Sequence, residues 1–128
     1  ITEGSNEMRK SKAKSRTQVI NGVSADGGAI IGVRGYLQGR IIELRDNVPC
    51  TIGRDPQMCD LVIMNENVSR VHCRIYFDPN MKMYVVNDNS TNGVLIQNGQ
   101  WTHRGDTVAV PRGTHIAIGT QSDEILLR

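Results

Sequence analysis

Ser69-Arg70-Val71-His72-Cys73-Arg74-Ile75-Tyr76-Phe77, then Asp78-Pro79-Asn80, then Met81-Lys82-Met83-Tyr84-Val85-Val86, is the stretch on which the fold turns. From Val71 onward its residues alternate with the period of two that sends successive side chains to opposite faces of a strand. Val71, Cys73, Ile75 and Phe77 point toward a core; His72, Arg74 and Tyr76 point away from it. A slip of one residue would turn the whole apolar face to water, so the register is well specified. Asp78-Pro79-Asn80 has turn chemistry, because proline pre-sets φ and asparagine tolerates the left-handed region. Residues 81–86 read as the returning strand.

The same grammar extends in both directions. Residues 29–36 and 40–44 flank Leu37-Gln38-Gly39 and suggest a hairpin. Val48, Cys50 and Ile52 share a face of 48–52, and 61–64 make a short strand. Residues 94–96, 107–110, 114–118 and 124–127 follow, parted by Asn98-Gly99, Pro111-Arg112-Gly113 and Gly119. No window past residue 29 keeps a helical period over four turns. Many short strands at this spacing indicate an all-β sandwich or barrel. The 128 residues suit one domain whose core needs neither disulfide nor metal. Residues 1–28 mix charge, Ser, Asn and Gly and bury too little to offset their ordering entropy. They read as a basic flexible linker before a domain at 29–128.

Bulk properties exclude several classes. Net charge is +2, but within residues 1–18 Arg9, Lys10, Lys12, Lys14 and Arg16 stand against only Glu3 and Glu7, leaving ten basic and eleven acidic residues in the remainder. The domain lacks both the positive charge and the interleaved aromatics of a nucleic-acid platform. No apolar run approaches a membrane span and no secretory pattern opens the chain, so no membrane contact by this domain is expected. Cys50, Cys59 and Cys73 show no metal-ligand spacing and read as free thiols in a reducing cytoplasm. The first residue, Ile1, suggests an excerpt of a longer protein.

Between the strands lie short polar clusters: Gly53-Arg54, five residues, Asp60, eight residues, Ser69-Arg70-Val71-His72, seventeen residues, Ser90-Thr91-Asn92-Gly93. These residue types suit a phosphate. Arg54 offers a planar fork of donors at a strand end, and Gly53 beside it permits close approach of another chain. Ser69 can donate from its hydroxyl, and Arg70 adds a second cation. Ser90-Thr91-Asn92-Gly93 reads as a tight turn, with Gly93 at the positive-φ position, Thr91 offering a hydroxyl and Asn92 an amide for a peptide backbone. Asp60 and His72 read as loop braces. The set describes a module that holds a phosphorylated peptide, with no catalytic residue, metal or cofactor assigned.

In that order the clusters resemble the forkhead-associated domain, over roughly residues 31–128. Cys59-Asp60-Leu61-Val62-Ile63 and Gly113-Thr114-His115-Ile116-Ala117-Ile118-Gly119 also match that family's pattern. The resemblance implies a sandwich of two twisted, mainly antiparallel sheets, about eleven short strands, with peptide-binding loops at one end. It implies recognition of phosphothreonine in a protein partner, with phosphoserine disfavoured through the threonine methyl. Arg54 and Ser69 match phosphate-contacting positions, Thr91 a phosphate- or loop-contacting one, Asn92 the one holding the peptide backbone, and Arg70 one that often touches ligand. Gly53 and His72 match structural positions. The chain departs from the pattern before Ser90, where many members place an Asp three residues ahead, and in the lengthened connections 93–99 and 105–112. Its style resembles bacterial members in which such a domain ends a larger cytoplasmic protein.

Two rival readings come from other classes. Ser69, His72 and Asp60 supply the types of a hydrolase triad, but no Gly-x-Ser-x-Gly elbow is present. Alternatively, an exposed apolar patch anchored by Trp101 could bind partners without phosphate; packing of Trp101 over a sheet edge or long loop is the plainer reading. In the tail, Thr17 follows Lys14-Ser15-Arg16, a basic setting of a kind some kinases accept. Phosphorylated, it could dock intramolecularly at Arg54 and Ser69.

Overall fold

Burial of the alternating face of 71–77 organises the domain. In this computed structural model, which describes residues 26–128 in full and only the backbone at 19–20 and 23–24, Val71, Cys73, Ile75 and Phe77 are all buried. Thirteen strands run among the described residues: β1 (Val19–Ile20), β2 (Val23–Ser24), β3 (Ala29–Arg34), β4 (Ile41–Glu43), β5 (Cys50–Gly53), β6 (Leu61–Val62), β7 (Cys73–Asp78), β8 (Met83–Asp88), β9 (Val94–Ile96), β10 (Gln100–Trp101), β11 (Thr107–Pro111), β12 (Thr114–Ile118) and β13 (Glu124–Leu127). Eleven of them form two sheets, ordered β10-β9-β12-β13-β3-β4 and β11-β8-β7-β5-β6. All pairings are antiparallel except β5 with β6. No described helix is long and apolar enough to cross a membrane.

The inner faces of the two sheets meet in one core. Ile30, Val94, Ile96, Ile116, Ile118, Ile125 and Leu127 come from the larger sheet, and Ile52, Leu61, Ile75, Phe77, Tyr84 and Val86 from the smaller. Each fully buried large apolar side chain contributes about 1.5–3 kcal/mol before the entropy of ordering is subtracted. Tyr84 is the largest, and its hydroxyl needs a partner there: it accepts from Ala29 N at 2.8 Å and donates to Arg128 O at 2.5 Å. Tyr84 thereby ties the first and last strands of the larger sheet to the smaller one. Cys50, Cys59 and Cys73 are free, and burial pushes the Cys50 thiol up to about 12 and Cys73 up as well.

Four details depart from the sequence reading. Val48 is 49% exposed and outside β5, because its N–H closes a turn onto Arg45 O with Asn47 at φ 62. His72 is not on the outward face of β7 but wholly buried just before it. The turn after β7 runs through Lys82 at φ 56, with Asp78 Oδ1 accepting from Asn80 N and Met81 N, so β8 begins at Met83. Gln100-Trp101 forms an edge strand that the pattern did not announce. Within the stretch read as a linker, β1 and β2 pair with each other; Thr17 lies outside the described residues.

Candidate functional site

Four connections leave the sheets at the end where β5 finishes, β7 begins, β8 finishes and β10 finishes. Arg54 directly follows β5. Its backbone N–H donates to Ser69 O (3.0 Å) and its Nε to Val68 O (3.0 Å). The guanidinium is thus held against the loop that carries Ser69, and its two terminal nitrogens have no protein partner among the described residues. Gly53 makes this closeness possible: a Cβ there would lie 2.3 Å from Arg70 O and 2.8 Å from Cys59 Sγ.

Ser69 faces Thr91. The Thr91 N–H donates to Ser69 Oγ (3.1 Å), which leaves the serine's proton free to point at an anion. Arg70 reaches Asp55 at 3.3 Å and is 72% exposed, an ion pair that water largely screens. Arg54, Ser69, Arg70 and Thr91 line one open cleft of about 470 Å³, together with Met58, Val71, Asn89 and Arg104. Asn92 stands beside this group, not in its lining. Its Nδ2 donates to Asn67 O (2.9 Å), which fastens the 90–93 turn to the 65–69 loop and leaves its Oδ1 for another partner. Asp60 is on a different errand, accepting from Thr51 N at 2.9 Å while its own N–H donates to Thr51 O.

Beneath the cleft, His72 bridges the two binding loops. Its Nδ1 accepts from Ser69 N (3.0 Å), so the proton of the neutral ring sits on Nε2 and is donated to Gly93 O (2.7 Å). That is why a polar side chain is buried here: both nitrogens are satisfied. Burial lowers the pKa of His72 below 6.5, against smaller opposing effects of the Gly93 hydrogen bond and Asp88. The unfolded chain therefore binds this proton first as pH falls, so stability is full above about 6.5 and declines below it. Between pH 7.5 and 5.5 the urea midpoint is expected to fall, and His72→Gln, which cannot titrate, should show a shallower fall. Equal slopes would refute the assignment.

The triad types are not arranged as a relay. His72 meets the backbone N–H of Ser69 and not its hydroxyl, and Asp60 is bound to Thr51.

Two residues that the sequence reading passed over shape the site. Asp88 is 4% exposed at the end of β8. Its Oδ1 accepts from Ser90 N (2.7 Å) and Ser90 Oγ (2.6 Å), and its Oδ2 from Thr102 Oγ1 (2.5 Å). Ser90 Oγ in turn accepts from Gly93 N (2.7 Å), so one carboxylate fixes the whole turn, in which Gly93 has φ +89. Trp101, 38% exposed, covers this turn, its ring 3.2 Å from where a Gly93 Cβ would stand. An Asp two residues ahead of a turn serine was the available signal, since it forms a local side-chain-to-backbone turn. Arg104 enters the cleft from the connection after β10, donating from Nη2 to Thr91 Oγ1 at 3.3 Å. Nothing local distinguishes it from any loop arginine.

A family model described as the FHA domain matches residues 50–119. The probable serine/threonine-protein kinase fhkC of Dictyostelium discoideum is 29% identical over 109 residues, which cover 77% of this chain and 18% of that protein. The chain therefore spans less than a fifth of that curated relative. Among solved structures, the FHA domain of CT664 from Chlamydia trachomatis matches with a TM-score of 0.68 at 22% identity, covering 79% of this chain and 95% of that one. An FHA domain from a study of phosphothreonine-dependent FHA domain interactions matches with a TM-score of 0.62 at 27% identity, covering 80% and 95%.

Proposed function

This chain belongs to the FHA domain family, and on that premise we propose that it is a phosphothreonine-reading adaptor, holding a phosphorylated segment of a protein partner and performing no reaction on it. The observation that carries this reading is the convergence of Arg54, Ser69, Arg70 and Thr91, from three separate connections, on one open cleft. A phosphothreonine near neutral pH carries almost two negative charges and three strong acceptor oxygens. Arg54 supplies a pre-held pair of N–H donors and Ser69 a hydroxyl proton; Arg70 adds charge. Asn92, whose amide oxygen remains uncommitted, would accept from a backbone N–H of the ligand. Gly53, Asp60, His72 and Gly93 hold the loops in place and touch no ligand.

Met58 and Val71 line the same cleft and give it an apolar wall. A methyl group on the phosphorylated residue would gain contact there that a phosphoserine lacks. The buried thiols fit a cytoplasmic setting, in which cysteines stay reduced. The module so read comprises residues 29–128, with 1–28 as its linker.

The test is a titration by fluorescence anisotropy with three peptides that differ only at the central residue. The phosphothreonine peptide should bind with micromolar affinity, the phosphoserine peptide about 5- to 50-fold more weakly, as one buried methyl allows, and the unmodified threonine peptide not measurably. A partner retained equally well after phosphatase treatment would favour binding through an apolar patch and sink this reading.

A further inference from the structure

We propose that Arg104 is a second anion receptor of the cleft, selecting peptides that carry a further negative group, a carboxylate or a second phosphate, next to the phosphothreonine. The inference rests on the phosphopeptide reading above and adds to it a rule of partner choice.

Three observations support it. The first is charge. The cleft is lined by Arg54, Arg70 and Arg104, and the acidic residue in contact with any of these guanidiniums is Asp55, on Arg70. Among the described residues no carboxylate pairs with Arg104. A phosphothreonine held by Arg54 and Ser69 leaves Arg104, which shares their cleft and reaches the Thr91 hydroxyl, without a carboxylate partner of its own. Guanidinium matches carboxylate and phosphate alike, because both present paired oxygens to its planar fork.

The second is placement. Arg104 sits in a turn fixed at several points. His103 N donates to Asp106 Oδ2 (2.8 Å) and Asp106 N to His103 O (2.9 Å). Gly105 N donates to Asp88 O (2.8 Å), Asp88 N to Asp106 O (2.9 Å), and Thr102 Oγ1 to the Asp88 carboxylate. The backbone that presents Arg104 is therefore bolted to the same aspartate that shapes the 90–93 turn. A receptor fixed relative to the phosphate site can read a group at a set distance along the ligand; a mobile one could not.

The third is spare capacity. Of the five N–H donors on the guanidinium, one is committed, to Thr91 Oγ1 at a long 3.3 Å. The side chain is exposed at the rim, so an incoming anion finds the remaining donors without displacing a protein partner.

The experiment uses the full chain and a set of labelled peptides with one phosphothreonine core. Glutamate, a second phosphothreonine, alanine or lysine is walked through three positions on each side. For the wild type, one position should show a glutamate-over-alanine preference of about three- to tenfold, larger for the second phosphate and shrinking as salt rises. Arg104→Gln should bring the glutamate-to-alanine ratio at that position to about one. Arg104→Glu should reverse the order and favour lysine, a result that a purely structural role of Arg104 cannot produce. The two anion sources are separated by comparing the glutamate and phosphothreonine arms. A wild type indifferent to charge at all six positions would overturn the inference. So would a variant that weakens acidic and neutral peptides by the same factor, since Arg104 would then act on the central phosphate or through Thr91. If no phosphothreonine peptide bound at all, the reading of the cleft itself would fail, an outcome distinct from both.

Discussion

Arg54→Ala is expected to weaken phosphothreonine-peptide binding by about 100-fold or more, taking a micromolar interaction out of a normal titration range, while the domain stays folded. The size follows from what is removed. Hydrogen bonds to charged groups contribute about 1.5–3 kcal/mol each, and the two terminal nitrogens of Arg54 can make two to one phosphate. Because Nε is already held by Val68 O at 3.0 Å, the fork is oriented before ligand arrives and little rotamer entropy remains to be lost. Arg54→Lys should fall between, losing about tenfold, since an ammonium keeps the charge but not the planar pair of donors. The fold should tolerate both changes: Arg54 is exposed, and its backbone bond to Ser69 O survives any side chain. Circular dichroism melts should coincide to within a few degrees. Undiminished affinity in the alanine variant would remove the central residue from the proposed site.

How far the sequence disclosed the fold depended on whether the information was local. The hairpin of β7 and β8 was legible because one face of Cys73–Asp78 is buried and the other is not, which fixes both strand and register. Val48 misled for the opposite reason. The apolar alternation continues through it, but a turn back to Arg45 O and the missing N–H of Pro49 end the ladder at Cys50. His72 was assigned to the outer face because polarity normally means exposure. It is inside because two loops far apart in sequence satisfy both its nitrogens, which no periodicity records. The edge strand Gln100–Trp101 has two exposed residues and pairs with Leu95 and Ile96 alone, too short to leave a pattern.

The candidate site divides along the same line. Gly53, Ser69 and the 90–93 turn announce themselves through residue type: a glycine that permits close approach, a hydroxyl donor and a turn written in neighbouring residues. Their meeting in one cleft depends on contacts such as Thr91 N to Ser69 Oγ, 22 residues apart, which spacing alone does not encode. Asp88 was hidden for a related reason: its first two bonds are local, but the third crosses to Thr102, 14 residues on, and only that contact makes it a hub. Arg104 was wholly invisible, since its significance is its position over Thr91.

Asp88→Ala is accordingly expected to cause the largest loss of stability of any single change near the site, about 3–5 kcal/mol. The substitution removes the carboxylate that three buried donors share: the N–H and hydroxyl of Ser90 and the hydroxyl of Thr102. Each unsatisfied buried group costs about 1–3 kcal/mol, partly recovered as the turn relaxes or admits water. Thr102 retains one outlet, Val94 O at 3.3 Å, which keeps the estimate below the simple sum. Against a total stability of about 5–15 kcal/mol for a domain of this size, the variant should unfold at markedly lower urea and lose peptide binding even where it remains folded. Asp88→Asn separates charge from shape. Its amide oxygen can still accept from Ser90, while its NH₂ can donate to Thr102 Oγ1 once that hydroxyl turns to Val94 O, so a loss of about 1–2 kcal/mol is expected. Urea denaturation of the three proteins at one pH gives the comparison directly. If Asp88→Ala came within about 1 kcal/mol of the wild type, the carboxylate would not be what holds the 90–93 turn, and the rigidity claimed for Thr91, Gly93 and the Arg104 connection would lose its physical basis.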